Sequence, residues 1–102
     1  MYHIRTTENF DRQFKKLDPS VQRLVKNWIT KHLSDCEDPR IYGKGLVAEF
    51  KGYWRYRIGD YRLIAEIIDD EMVIIAIAIA HRSEVYRNKM KALQKKKKEK
   101  KS

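Results

Sequence analysis

The sequence predicts an α+β domain. Two N-terminal helices pack on a mostly antiparallel four-stranded sheet, followed by a short C-terminal helix and a basic tail. Three observations carry this. Apolar residues recur at helical spacing between Phe10 and Leu33. A short alternating segment, residues 2–6, precedes them and reads as a strand. Residues 53–86, YWRYRIGDYRLIAEIIDDEMVIIAIAIAHRSEVY, read as three consecutive strands separated by two turn signals.

Taken in order, Thr6-Thr7 offers an N-cap after the first strand. The first helix carries Phe10, Phe14 and Leu17 at i, i+4 and i+7 and ends at Asp18-Pro19. Asp is a good N-cap and Pro a good first helical residue, so the second helix starts at once. Its stripe is Val21, Leu24, Val25, Trp28, Ile29 and Leu33. Residues 34–45 read as loop, with Lys44 set between Gly43 and Gly45, where it could approach a phosphate. Residues 46–50 open the sheet, and Lys51-Gly52 makes a break before Tyr53. The strands then run from Tyr53 to Ile58, from Tyr61 to about Asp69 and from Met72 to Ala80. Gly59-Asp60 is the first turn and Asp69-Asp70-Glu71 the second. Residues 87–102, with the thin stripe Met90 and Leu93, form a helix that frays into a lysine-rich end.

A chain of 102 residues is one domain with a modest core. The single cysteine, Cys36, excludes an intramolecular disulfide framework and fits a reducing compartment. The N-terminus lacks the apolar core of a signal peptide, and the longest apolar run, residues 72–80, is too short to span a bilayer. The expectation is a cytoplasmic protein without membrane contact. The formal charge of +9 is unevenly placed: residues 89–102 hold eight Lys and one Glu, and the rest of the chain 15 basic and 13 acidic residues. The body, residues 1–88, is nearly balanced, and residues 89–102 form a tail suited to a polyanion or to plain solvation.

Strand periodicity singles out a local charge cluster. If Gly59-Asp60 is a two-residue loop, Ile58 pairs with Tyr61 and Arg57 with Arg62. Arg55 shares their face because side chains alternate. Like charges directly opposite cost up to ~1 kcal/mol. A phosphate ligand would offset that cost, and the planar guanidinium fork suits it. The competing reading balances these arginines with Glu49, Glu66 or Asp60 on an exposed face. Ile64 and Ile68 also fall on the arginine face; Leu63, Ala65 and Ile67 fall on the other. The helices cover one face, so the C-terminal segment or a partner protein must cover part of the second.

No metal, P-loop or dinucleotide signature is present, and no cofactor is expected. His3, His32 and His81 are far apart, and Ser83 lacks a nucleophile-elbow context. What remains near one rim of the sheet is Tyr53, Arg55, Arg57, Arg62, His81, Arg82 and Tyr86. This set can cleave RNA, whose 2′-hydroxyl is its own nucleophile: arginines stabilise the phosphorane, His or Tyr moves protons, and tyrosines stack on bases. A hydrogen-bonded structural His81 and a core-anchoring Tyr86 are the bland alternatives.

The order of elements, with Asp60-Tyr61-Arg62-Leu63, the acidic turn and His81-Arg82-Ser83-Glu84-Val85-Tyr86, resembles the RelE/ParE toxin superfamily of bacterial type II toxin–antitoxin systems. The likeness covers residues 2–88 and leaves out the tail. It implies a RelE-like fold and, for the RelE branch, a toxin that inhibits translation by cutting mRNA in the ribosomal A site without metal. Such cutting proceeds by 2′-hydroxyl attack and leaves a 2′,3′-cyclic phosphate. The implied roles are Arg55 and Arg57 as the basic pair, where RelE has lysines, and Arg62 on the scissile phosphate. Arg82 is a second phosphate contact, and Tyr86 a stacking or acid/base group. His81 matches family members that use a histidine there. Tyr53 and Lys44 complete the expected RNA-binding set. Arginine is a poor proton acceptor, so His81 or Tyr86 must be the base. The implied partners are a cognate antitoxin, with which the toxin forms a hetero-oligomer, and the ribosome with its 16S RNA and mRNA. The alternatives are a ParE-like inhibitor of DNA gyrase and a non-catalytic antitoxin-binding module.

Overall fold

The computed structural model describes residues 1–84. The expected C-terminal helix, the lysine-rich tail, the boundary at residues 88–89 and Tyr86 lie outside the described residues.

The elements are β1 (His3–Thr6), α1 (Glu8–Lys15), α2 (Pro19–His32), β2 (Lys44–Gly45), β3 (Tyr53–Ile58), β4 (Tyr61–Ile68) and β5 (Val73–His81). Single 3-10 turns occupy Pro39–Tyr42, Ala48–Phe50 and Asp69–Glu71. The sheet has five strands in the order β1-β5-β4-β3-β2, with β1 parallel to β5 and the other pairs antiparallel. This corrects the four-stranded expectation. The extra strand is β2, which is two residues long and pairs Lys44 with Arg55 and Gly45 with Trp54. Residues 46–50 do not open the sheet as expected; they end in the 3-10 turn, where Ala48 sits at φ 58°.

The helix starts follow the local chemistry. Thr7 caps α1, its hydroxyl accepting from the Phe10 N–H at 3.1 Å. Asp18 occupies the N-cap of α2 with Pro19 behind it, but its side chain makes no capping hydrogen bond. Gln22 instead closes the corner from α2, donating to the carbonyls of Phe14 and Leu17.

The sheet divides two cores. On the helix side, Tyr56, Ile58, Leu63, Ala65, Ile74, Ala76 and Ile79 pack with Phe10, Val25 and Leu33. Leu24 departs from the expected stripe: it is 45% exposed, lying over the β3–β4 turn, where a Cβ on Gly59 would come 3.3 Å from its Cδ2. On the opposite side, Ile64, Ile77 and Ala78 form a small cluster covered by Leu46, Tyr53 and Ile75. Part of the cover expected from a tail or partner is thus supplied by the segment between β2 and β3.

A β-bulge interrupts the β4–β5 ladder: Ile64 pairs with Ala78 and Ala65 with Ala76, leaving Ile77 unpaired. Beyond Ala76, β5 also runs past its partner β1. Helix α1 satisfies the backbone groups left open there. Asn9 donates to the Ile77 carbonyl at 2.9 Å, and Gln13 accepts from the Ile79 N–H at 2.8 Å.

Candidate functional site

The β3–β4 hairpin has the register that the sequence predicts, with Ile58 opposite Tyr61 and Arg57 opposite Arg62. Gly59, at φ 58°, takes the first loop position, where glycine tolerates the left-handed backbone. Arg55, Arg57 and Arg62 therefore share the face opposite the helices. The pairing of Lys44 with Arg55 adds a fourth cation to that face. Arg82 follows the end of β5, and its N–H donates to the Asp60 carbonyl in the hairpin turn at 2.8 Å.

Electrostatics show that the arginines feel one another. The Arg62 guanidinium is pushed below its ordinary value, first by partial burial and then by the charges of Arg57, Arg55 and Arg82; Asp60 pulls the other way. Arg62 is also fixed in place, donating to the Gly59 and Tyr61 carbonyls, each at 2.9 Å. Arg57 is exposed and forms no salt bridge among the described residues. The contrast is Arg40 at the other end of the sheet. It binds Asp69 through its two terminal guanidinium nitrogens at 3.0 and 2.7 Å, and Tyr2 donates to the same carboxylate at 2.6 Å. Arg40 closes the fold through this carboxylate.

His81 stands apart from that face. It pairs with Tyr61 on the helix side, their rings meeting edge-on at 5.5 Å. The Ser83 N–H donates to His81 Nδ1 at 3.2 Å, and Ser83 Oγ lies 2.9 Å from the same nitrogen. A backbone N–H only donates, so in the neutral ring Nδ1 accepts and Nε2 carries the proton. If the ring becomes imidazolium, Ser83 Oγ can accept from Nδ1 instead.

The structure thus gathers Arg55, Arg57, Arg62, Arg82 and Lys44, and sets His81 around the end of the sheet from them. Tyr53 does not join the group at the rim. It begins β3, roughly 17 Å of strand from the hairpin turn, and packs over Ile64, Ile77 and Ala78. Two residues escaped the sequence reading. Tyr61 buttresses His81, and Ser83, set aside as a nucleophile, orients the imidazole. The pairing of Tyr61 with β5 and the i, i+2 spacing of His81 and Ser83 were the available signals. Among the described residues, no group of three or more His, Cys, Asp or Glu side chains could hold a metal ion. No described helix is long and apolar enough to cross a membrane.

The sequence profile described as "ParE toxin of type II toxin-antitoxin system, parDE" matches residues 4–86. The chain is 31% identical over 86 residues to Toxin RelG of Mycobacterium tuberculosis, spanning 84% of this chain and 97% of that one. Among solved structures it is similar to the RelBE2 toxin–antitoxin complex of M. tuberculosis, with TM-score 0.73 and 30% identity over 78% of this chain and 96% of that chain. It is also similar to the isolated E. coli RelE toxin, with TM-score 0.65 and 26% identity over 91% of this chain and 99% of that chain.

Proposed function

The chain belongs to the RelE/ParE toxin family of type II toxin–antitoxin systems, and from that premise we propose that it is a ribosome-dependent, metal-independent mRNA endonuclease. The observation that carries this reading is the cluster of Arg55, Arg57 and Arg62 on one sheet face, with Arg82 just past the end of β5 against the hairpin turn. Such a cluster is costly to assemble without an anion to occupy it. A pentavalent phosphorane gains charge that this array can stabilise without moving, because Arg62 is already held by two carbonyls.

In the proposed reaction the RNA 2′-hydroxyl loses its proton and its oxygen attacks the adjacent phosphorus. The bond from phosphorus to the 5′-oxygen breaks, leaving a 2′,3′-cyclic phosphate and a 5′-hydroxyl. Arginine cannot take the proton. Tyr86, outside the described residues, takes it as phenolate. His81 in its imidazolium form returns a proton to the leaving 5′-oxygen, with Ser83 Oγ holding Nδ1 at 2.9 Å. Arg55, Arg57 and Lys44 bind the flanking backbone. Tyr53, partly buried over the small core, supports β3. A cognate antitoxin neutralises the toxin, as the likeness to a toxin–antitoxin complex at 30% identity supports.

Primer extension on translated mRNA tests the reading, with Arg62→Ala as the control. Codon-registered cuts lost in that variant support it. Toxicity unaffected by Arg62→Ala removes it. A second reading, gyrase poisoning, is favoured by the ParE description of the matching profile. Gyrase-linked DNA breaks without mRNA cuts would establish it.

A further inference from the structure

Beside the arginine face lies a groove of about 230 Å³ lined by Ile41, Tyr42, Gly43, Lys44, Arg55 and Arg57. Half of this lining is cationic and half is not. Ile41 is 69% exposed and Tyr42 38% exposed, so an apolar wall faces solvent next to three positive charges. A free phosphate would use only the charges. A protein core would have buried the wall.

The wall is built, not loose. The His32 ring meets Tyr42 edge-on at 5.1 Å, Trp28 stacks on His32 at 4.6 Å, and Tyr56 backs Trp28 at 5.7 Å. Tyr56 is fully buried. This chain of rings ties the groove's aromatic edge to the core. Gly43 lets the segment come close: a Cβ there would stand 2.6 Å from the Arg55 carbonyl oxygen and 2.7 Å from the Tyr56 ring. Lys44 is then set directly beside Arg55.

We propose that this groove is a nucleobase subsite, in which Tyr42 and Ile41 hold an unpaired base while Lys44 and Arg55 hold its phosphate. A nucleotide presents a flat apolar face and an anion within one residue's length, matching both halves of the lining. The inference rests on the endonuclease reading and adds to it a position at which sequence is selected. Purines, with the larger ring face, are the preferred occupants. The site borders the arginine face through Lys44, Arg55 and Arg57, so its base belongs to a nucleotide flanking the scissile phosphate.

The test is fluorescence anisotropy with the full chain and 5′-labelled 2′-O-methyl oligonucleotides, which have no nucleophile and so report binding without cleavage. The probes are hexaadenylate, hexauridylate and an abasic hexamer. Wild-type protein should bind hexaadenylate tightest. Tyr42→Ala should weaken that binding about 5- to 150-fold, the range for loss of one stacked base. Tyr42→Phe should restore it, and the abasic probe should bind wild type and Tyr42→Ala alike. Ile41→Ser, at an exposed position, should weaken hexaadenylate in the same direction and guards against misfolding of the tyrosine variant. Equal binding of hexaadenylate and the abasic probe by wild type overturns the proposal. So does unchanged binding in Tyr42→Ala, or loss only of antitoxin binding in that variant, which would give the groove to a protein partner. Base-dependent binding through Tyr42 in a protein that cuts no mRNA would keep the subsite and defeat the endonuclease reading alone.

Discussion

Replacing Arg57 by threonine should stabilise the protein while weakening the proposed cleavage of RNA. Arg57 faces Arg62 directly across the ladder, and Arg55 lies two residues away on the same face. The Arg62 guanidinium is tied to the Gly59 and Tyr61 carbonyls and cannot swing clear. Two unit charges ~6 Å apart in water repel by ~0.7 kcal/mol. Exposure lets Arg57 relax outward, which reduces the sum over both neighbours to about 0.5–1 kcal/mol at low salt. For a domain of this size that is a rise in Tm of roughly 2–8 °C. Threonine suits an exposed strand position, so no propensity loss opposes the gain. The assay is thermal unfolding followed by circular dichroism in about 20 mM and about 1 M salt. At about 1 M the screening length falls to ~3 Å, and most of the difference should vanish. A variant no more stable than wild type at low salt, or a gain indifferent to salt, would refute the idea that the arginine face stores repulsion for a ligand to relieve.

Other perturbations probe the supporting structure. Asp69 lies below the ordinary carboxylate range because Arg40 and then Tyr2 hydrogen-bond to its charged form. Its stabilising contribution is therefore complete above the unfolded value near 3.8 and is lost as pH falls through the lower folded value. Acid titration of unfolding should show a shallower loss of stability in that window for Asp69→Asn than for wild type; identical slopes would remove the role. Gly43→Ala should cost about 1–3 kcal/mol in urea unfolding, because the methyl meets the Arg55 carbonyl at 2.6 Å and one strand must move. Wild-type stability there would mean that β2 is not held against β3. Tyr56→Phe removes a buried hydrogen bond to the Pro39 carbonyl at 2.9 Å and should cost about 1 kcal/mol by the same measurement. No loss would show that water replaces the phenol.

What the sequence made legible follows from which signals are local. The Ile58–Tyr61 and Arg57–Arg62 pairings depend only on a two-residue loop and alternation, and both are legible in the sequence alone. The N-cap at Thr7 and the helix start at Pro19 are likewise local. Strand β2 was not readable, because Lys44–Gly45 has no periodicity and is fixed by the packing of Gly43 on β3. The 3-10 turn at Ala48–Phe50 depends on a left-handed alanine that no propensity favours. His81 is the most instructive case. Counting by twos from Ile74 on the helix side would put residue 81 with the arginines. The bulge at Ile77 shifts the phase and turns His81 to the helix side. The run VIIAIAIA is apolar on both faces, so its sequence carries no mark of that shift. The groove at Ile41 and Tyr42 was hidden for a related reason: it joins a 3-10 turn to two strands through contacts distant in sequence.

The central claim is that the arginine face stabilises in-line attack by the RNA's own 2′-hydroxyl. The most direct measurement is the chemical identity of the new 3′ end on mRNA cut by the wild-type protein on translating ribosomes. A 2′,3′-cyclic phosphate, resistant to polyadenylation until it is opened and dephosphorylated, is the predicted result. A free 3′-hydroxyl paired with a 5′-phosphate would mean that water or a protein group attacked instead, and would contradict the account.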